Sequence, residues 1–182
     1  MANVLSHNER AAATWGSGGR DYDRISEFVS DVLTHLVNRI APRAGERFLD
    51  VGTGTGWAAR LLSSRGATVI GVDIGPGVIE AARTLAPDIT FRVADAEALP
   101  FEDASFDAVT STFGVMFVAR PEIAADEMAR VCKKRGRLGL LTWVPEGTVT
   151  GTALYAAARK PAPVSVRMGS PGANSGIAWR RI

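Results

Sequence analysis

The segment FLDVGTGTGWAAR, residues 48–60, sets Gly52, Gly54 and Gly56 directly behind a short apolar run and ahead of the first residues of a helical one. Glycine tolerates positive φ and lets backbone N–H groups approach a ligand with no Cβ in the way. A helix starting there turns its free N–H groups and positive dipole end toward the same space, which suits a carboxylate or a phosphate. Asp73, with Ile74 beside it, closes the next apolar run at GVD. A carboxylate at the tip of a neighbouring parallel strand can accept hydrogen bonds from both hydroxyls of a ribose. Asp95 closes the run after that, FRVAD. It can accept the exocyclic amine of adenine while the N–H of Ala96 reaches a ring nitrogen. One bare turn and two carboxylates in this order predict a pocket for an adenosine-containing ligand at the carboxyl edge of a parallel sheet.

Each piece taken singly has a plainer explanation. The glycines can serve only a tight turn. Asp73 can open the turn before Gly75-Pro76-Gly77 or cap a helix, and Asp95 can be a loop aspartate. Asp50, just ahead of the glycines, either holds the loop by accepting backbone N–H bonds or orients a ligand amine. Thr112 and Phe113, at the end of a later strand, are expected to line the site mouth, although Phe113 also reads as a core side chain. Trp57 stands where the last glycine of a GxGxxG dinucleotide fingerprint would fall, which weakens a dinucleotide reading. His7 and His35 lie far apart in the chain, and Cys132 falls at helical spacing, so neither a metal cluster nor a nucleophilic triad is predicted.

Alternating strands and helices must position these groups. A helical stripe runs from Tyr22 through Ile25, Phe28, Val29, Val32, Leu36, Val37 and Ile40, and Pro42 and Gly45 end it. Strands are expected at residues 48–51, 68–72, 89–93, 107–112 and 137–143, with helices at 57–64, 78–85 and 121–134. Helices of this length between strands mean parallel βαβ units with right-handed crossovers. Residues 1–21 read as a flexible leader, because Gly16, Gly18 and Gly19 resist regular structure. Residues 22–146 read as the ligand-binding domain and 147–182 as a basic, partly irregular tail, with a short helix at 152–159 and a strand near Val164, Val166 and Met168 as options.

The 182 residues carry 46% apolar and 22% charged side chains and one cysteine. That is one ordinary globular domain without a disulfide framework. No secretory signal pattern or membrane-length apolar run occurs, so the cytoplasm is the expected address. The pI near 9.0 comes from the tail. Residues 147–182 hold Arg159, Lys160, Arg167, Arg180 and Arg181 and no acid, which leaves the rest of the chain net negative. Five sparse charges do not make a nucleic-acid patch.

With these residues laid out, the chain resembles the class I S-adenosylmethionine-dependent methyltransferases, near the branch of ubiquinone and menaquinone C-methyltransferases. LDVGTGTG is similar to the family's first motif, and GVDIGPGVIEAAR to its second-strand segment. VADAEALPFEDASFDAV is similar to the third-strand segment and linker, and RVCKKRGRLGLLTW to the last helix and fifth strand. The resemblance implies an α/β, Rossmann-like, doubly wound and mainly parallel sheet of order 3-2-1-4-5. It implies S-adenosylmethionine as cofactor and a small-molecule methyl acceptor. Gly52, Gly54 and Gly56 would flank the methionine portion and ribose, Asp73 would hold the ribose, and Asp95 with Ala96 the adenine. An aromatic residue ahead of the first strand, Tyr22 or Trp15, would cover the ligand. Little after Gly147 matches the family's last two strands, so strands 6 and 7 are expected to be missing or altered. The edge of strand five is then open to the tail or to a second copy as a homodimer. Two further readings stand beside methyl transfer: a domain that binds the cofactor without turnover, and a nicotinamide-dependent oxidoreductase.

Overall fold

A computed structural model describes residues 4–143 and 175–181; the tail options at residues 152–168 lie outside them. Six strands form one sheet of order β3-β2-β1-β4-β5-β6. These are β1 (Arg47–Val51), β2 (Thr68–Asp73), β3 (Thr90–Val93), β4 (Phe106–Thr112), β5 (Cys132–Trp143) and β6 (Ser175–Arg181). The first five pair in parallel, and β6 runs antiparallel along β5 from Trp143↔Ser175 to Arg137↔Arg181. The expected order 3-2-1-4-5 is therefore present. The open β5 edge is not, because Ser175–Arg181 occupies it. The paired edge gives no support to the homodimer expected there.

Strand parity divides the core into two layers. Leu49, Val51, Val72, Val109, Leu138 and Leu140 point to one face, where they pack with Met128 and Val131 of α6 (Pro121–Val131). Phe48, Val69, Phe91 and Ala108 point to the other. There they meet Val37 and Ile40 of α3 (Ser30–Ile40), Ala59 and Leu62 of α4 (Trp57–Ser63), and Ile79 and Ala82 of α5 (Pro76–Leu85). Successive strand residues face opposite sides, so each βα unit supplies both layers. Helices on both faces are what bury a parallel sheet. Cys132 sits in the first layer, and its burial raises the thiol to about 11, so it is core rather than nucleophile.

Ahead of β1 two expectations are corrected. The stripe from Tyr22 to Ile40 forms two helices, α2 (Tyr22–Phe28) and α3, divided at Val29 (φ −109°, ψ 12°). Val29 donates to the Ser26 carbonyl in a tight turn (3.2 Å). The β-branched Val29 followed by Ser30 is a weak helical pair, and both residues favour a boundary. The leader is folded as well. Ser6–Asn8 and Gly19–Asp21 are 3₁₀ turns around α1 (Glu9–Gly16). Its glycines end the helix rather than loosen the segment.

Candidate functional site

The carboxyl ends of β1, β2, β3 and β4 open into one cavity, closed from above by the folded leader and α2. Gly52 and Gly54 line it, with Asp73, Ile74, Asp95, Ala96, Thr112 and Phe113. Eight of the ten expected site residues thus converge. Asp50 and Gly56 do not line the cavity. Asp50 is fully buried beneath the turn, where the hydroxyls of Thr53 (2.6 Å) and Thr110 (2.8 Å) donate to it. Of its two earlier readings, loop-holding fits this geometry, through hydroxyl rather than backbone donors. Burial raises the Asp50 carboxyl to about 6, against the lowering effect of those hydroxyls. Gly56 caps α4 at φ +87°, and a Cβ there would fall 2.7 Å from the Phe91 ring. It lets the helix sit down on the sheet.

Backbone and carboxylate lock each other at the turn. Gly54 N–H donates to Asp73 Oδ2 and Gly75 N–H to Oδ1, each at 2.9 Å. Burial raises the Asp73 carboxyl from its ordinary value while these backbone donors lower it. A Cβ on Gly52 (φ +68°) would lie 2.8 Å from Gly114 Cα, so the turn and the exit of β4 pass in backbone contact. The cradle floor therefore needs glycine. Pairing of Asp73 with Val93 and the bond from Ala94 N–H to the Asp73 carbonyl (2.9 Å) bring the tips of β2 and β3 side by side. Asp95 lies just past that point.

The leader docks on the β3 exit. Leu5 N–H (3.2 Å) and the Asn8 amide (2.9 Å) both donate to Asp95 Oδ2, and Glu97 N–H donates to Oδ1 (3.0 Å). Glu97, buried at its side chain, takes Arg120 Nε at 2.7 Å and Arg120 N–H at 2.9 Å. His7 Nε2 lies 2.9 Å from Glu97 Oε2 and 2.8 Å from Arg120 Nη2. Burial pushes the Glu97 carboxyl up, but the bonds from His7, Asn8 and Arg120 prevail and bring it down to about 2. Nothing local in the sequence announces the docking of the leader, since His7 and Asn8 are 87–113 residues from their partners.

Aromatic rings make the lid. Trp15 meets Tyr22 edge-on (6.5 Å between centroids) and Phe117 at 4.9 Å. Tyr22 lies over the glycine turn, 3.1 Å from where a Gly54 Cβ would stand. Burial, and then the charge of Asp73, raises the Tyr22 phenol, so it is a donor at neutral pH. Phe113, held at φ +59° where bulky residues are rarely found, reports backbone strain at the β4 exit. Among the described lining residues Asp73 and Asp95 are the only ionic side chains. No group of three or more His, Cys, Asp or Glu among the described residues could hold a metal.

The glycine turn, Asp73 and Asp95 thus share one cavity at the carboxyl edge of a doubly wound parallel sheet, the edge where proteins of the parallel α/β class take their ligands. Comparison with known proteins sharpens that class. A family model described as a methyltransferase domain matches residues 49–140, half of the chain, and the chain belongs to that family. An uncharacterized protein of Mycobacterium tuberculosis is 40% identical over 138 residues, covering 73% of this chain and 50% of the relative. A demethylmenaquinone methyltransferase of Clavibacter sepedonicus is 42% identical over 125 residues, covering 64% and 51%. The chain thus spans about half the length of the curated relatives it matches. The crystal structure of the YcgJ protein from Bacillus subtilis superposes with a TM-score of 0.59 at 33% identity, covering 63% of this chain and 52% of the other. The family and the sheet order together establish a Rossmann-like class I methyltransferase fold.

Proposed function

We propose that this chain binds S-adenosylmethionine and directs its methyl group to an apolar small-molecule acceptor. The observation that carries the reading is the single cavity shared by the glycine turn, Asp73 and Asp95 in a chain of the methyltransferase family. Asp73 would hold the ribose hydroxyls with the lone pairs left over from Gly54 and Gly75. Asp95 would take the adenine amine. A carboxylate offers about four acceptor sites, and three donors already reach this one. The residues present fit the cofactor at the cradle too, because Gly52 and Gly54 line the cavity without a side chain.

Bound S-adenosylmethionine supplies an electrophilic methyl on a sulfonium, so the protein has mainly to align and to dry. Trp15, Tyr22 and Phe117 would shield the bound ligand above the turn, and Thr112 and Phe113 wall the β4 side. Positioning and desolvation of this kind can supply most of the acceleration of a displacement. The absence of Lys, Arg and His from the described lining disfavours an anionic acceptor. Aromatic walls favour a flat apolar ring, of which the acceptor named for the Clavibacter relative is one example.

Calorimetric titration with S-adenosylhomocysteine tests the reading, with NAD as the comparison. Saturable binding of the first and none of the second is expected. No binding at millimolar S-adenosylhomocysteine removes the cofactor assignment, and NAD binding alone would restore an oxidoreductase. Binding without methyl transfer to any quinol or phenol would favour a cofactor-binding domain without turnover. That reading draws on the leader, whose Leu5 and Asn8 already engage Asp95.

A further inference from the structure

Asn8 stands at the N-terminal cap of α1, where an asparagine ordinarily turns its amide oxygen onto the first free N–H groups of the helix. Here the side chain makes no such bond. Its NH2 group instead serves two carboxylates, donating to Asp95 Oδ2 at 2.9 Å and bonding Glu97 as well. Only the nitrogen of an amide can donate and only the oxygen can accept, so two carboxylates settle which way round the amide sits. The oxygen is left unused: no donor among the described residues bonds Asn8 Oδ1. It is not sealed off either, because the sealed side-chain atoms without a partner, among the described residues, are Trp57 Nε1 and Arg137 Nε. Asn8 is only 4% exposed, and it lines the cavity beside Asp95. A polar side chain buried to that degree calls for a partner, and the cavity is where a donor can come from.

We propose that Asn8 Oδ1 accepts one N–H of the exocyclic amine of the bound adenine, so that the leader itself reads the base. The proposal rests on the S-adenosylmethionine reading and adds a specificity-determining residue to it. An exocyclic amine carries two N–H donors, and a single acceptor would leave the second unpaired. Asp95 takes one of them. That carboxylate is already crowded, since Leu5 N–H and the Asn8 amide come to Oδ2 and Glu97 N–H to Oδ1. The carbon that holds the Asn8 NH2 against Asp95 also carries the amide oxygen, so an amine seated on Asp95 has Asn8 Oδ1 beside it. Asp95 thus accepts from the base and holds the amide that accepts the other hydrogen. Ala11, one turn along α1, and Ala94 and Ala96, which flank Asp95, line the cavity without any side-chain donor. A base without the amine therefore leaves Asn8 Oδ1 facing an apolar edge, and burying an acceptor without its donor is costly.

The test titrates the wild type and Asn8→Ala with two ligands by calorimetry. S-Adenosylhomocysteine carries the amine; its purine analogue, with hydrogen in place of the amine, keeps the ring nitrogens, the sugar and the amino-acid arm. Asn8→Ala is expected to weaken the first about tenfold and to leave the second unchanged. An unchanged or tightened grip on S-adenosylhomocysteine overturns the proposal. So does an equal loss for both ligands, which would make Asn8 a fastening of the leader alone. Should the variant not fold, NMR of the wild type labelled with 13C in asparagine decides. The chain has four asparagines, and Asn8 is assigned by elimination with Asn3→Gln, Asn38→Gln and Asn174→Gln. Its carboxamide carbon must move downfield with S-adenosylhomocysteine and not with the purine analogue; its failure to do so overturns the assignment. A wild type that binds neither ligand removes the cofactor reading itself, whereas a wild type that binds both with no Asn8 effect removes only this inference.

Discussion

Asp50 and Asp73 are one strand apart, and each spends its carboxylate differently. Asp73 lines the cavity with both oxygens bonded to turn N–H groups, so its carboxylate is held in one orientation. Asp73→Ala should weaken S-adenosylhomocysteine binding by about 1–3 kcal/mol, the range for a lost hydrogen bond to a charged group. Calorimetry checks this on protein shown by its melting curve to be folded, and an unchanged dissociation constant excludes the ribose role. Asp50 works below the cavity, and its consequence is a pH dependence. Its folded value is raised to about 6 from an ordinary 3.8. The folded state therefore keeps a proton that the unfolded chain has released, and the associated stability is full below about pH 4 and lost as pH rises through about 6. The lowered carboxylates Glu46, Glu97, Asp107 and Glu127 act oppositely and overlap the lower part of that window, so the Asp50 contribution is read as a difference between two proteins. In urea unfolding between pH 4.5 and 6.5 the wild type should lose stability relative to Asp50→Asn as pH rises. Parallel slopes would mean that Asp50 is ionised in the fold.

Strands and their connecting helices were legible because each is specified by local pattern. Short apolar runs ended by Gly, Pro or Asp marked β1 to β5, and GTGTG fixed where β1 must turn. The leader was not legible. ERAAATWG is helical by its alanines, but what seats α1 is Asn8 on Asp95 and His7 on Glu97, across almost half the chain. Trp57 was read only as an obstruction to a dinucleotide fingerprint, since spacing cannot say that an indole N–H will end up unpaired. The seating of α1 is testable as an element. Glu97 joins the leader to Arg120, which precedes α6, so Glu97→Ala leaves His7 and Arg120 without their shared acceptor. Trypsin should then cut faster after the exposed Arg10 and Arg20, because proteolysis follows local opening. About a tenfold faster loss of the leader, with the remaining domain intact on a gel, is expected. S-Adenosylhomocysteine should slow the cut in the wild type, because Trp15 and Tyr22 line the same cavity.

For the molecule as a whole, the question is what closes the sheet. Strands β2, β1 and β4 each pair on both sides, and Arg137 ties β5 back to Glu46 ahead of β1 through a 2.9 Å guanidinium–carboxylate contact. Beyond β5 a bare edge would present a row of unpaired backbone groups, the usual template for unwanted pairing. Ser175–Arg181 satisfies that row over seven paired residues, Arg137 to Trp143. In sequence GIAW alternates only briefly amid glycines and arginines, too short a pattern to mark a strand without the edge it completes. Removing residues 175–182 should therefore leave the cavity intact, because β6 lies at the far end of the sheet from the β3–β2–β1 tips. It should instead change the association state. The truncated chain is expected to elute from a sizing column as dimers or larger species at concentrations where the full chain elutes smaller, with S-adenosylhomocysteine affinity within about twofold. Identical elution of the two would show that β6 does not protect the edge, and a lost ligand affinity would show that the edge strand supports the site after all.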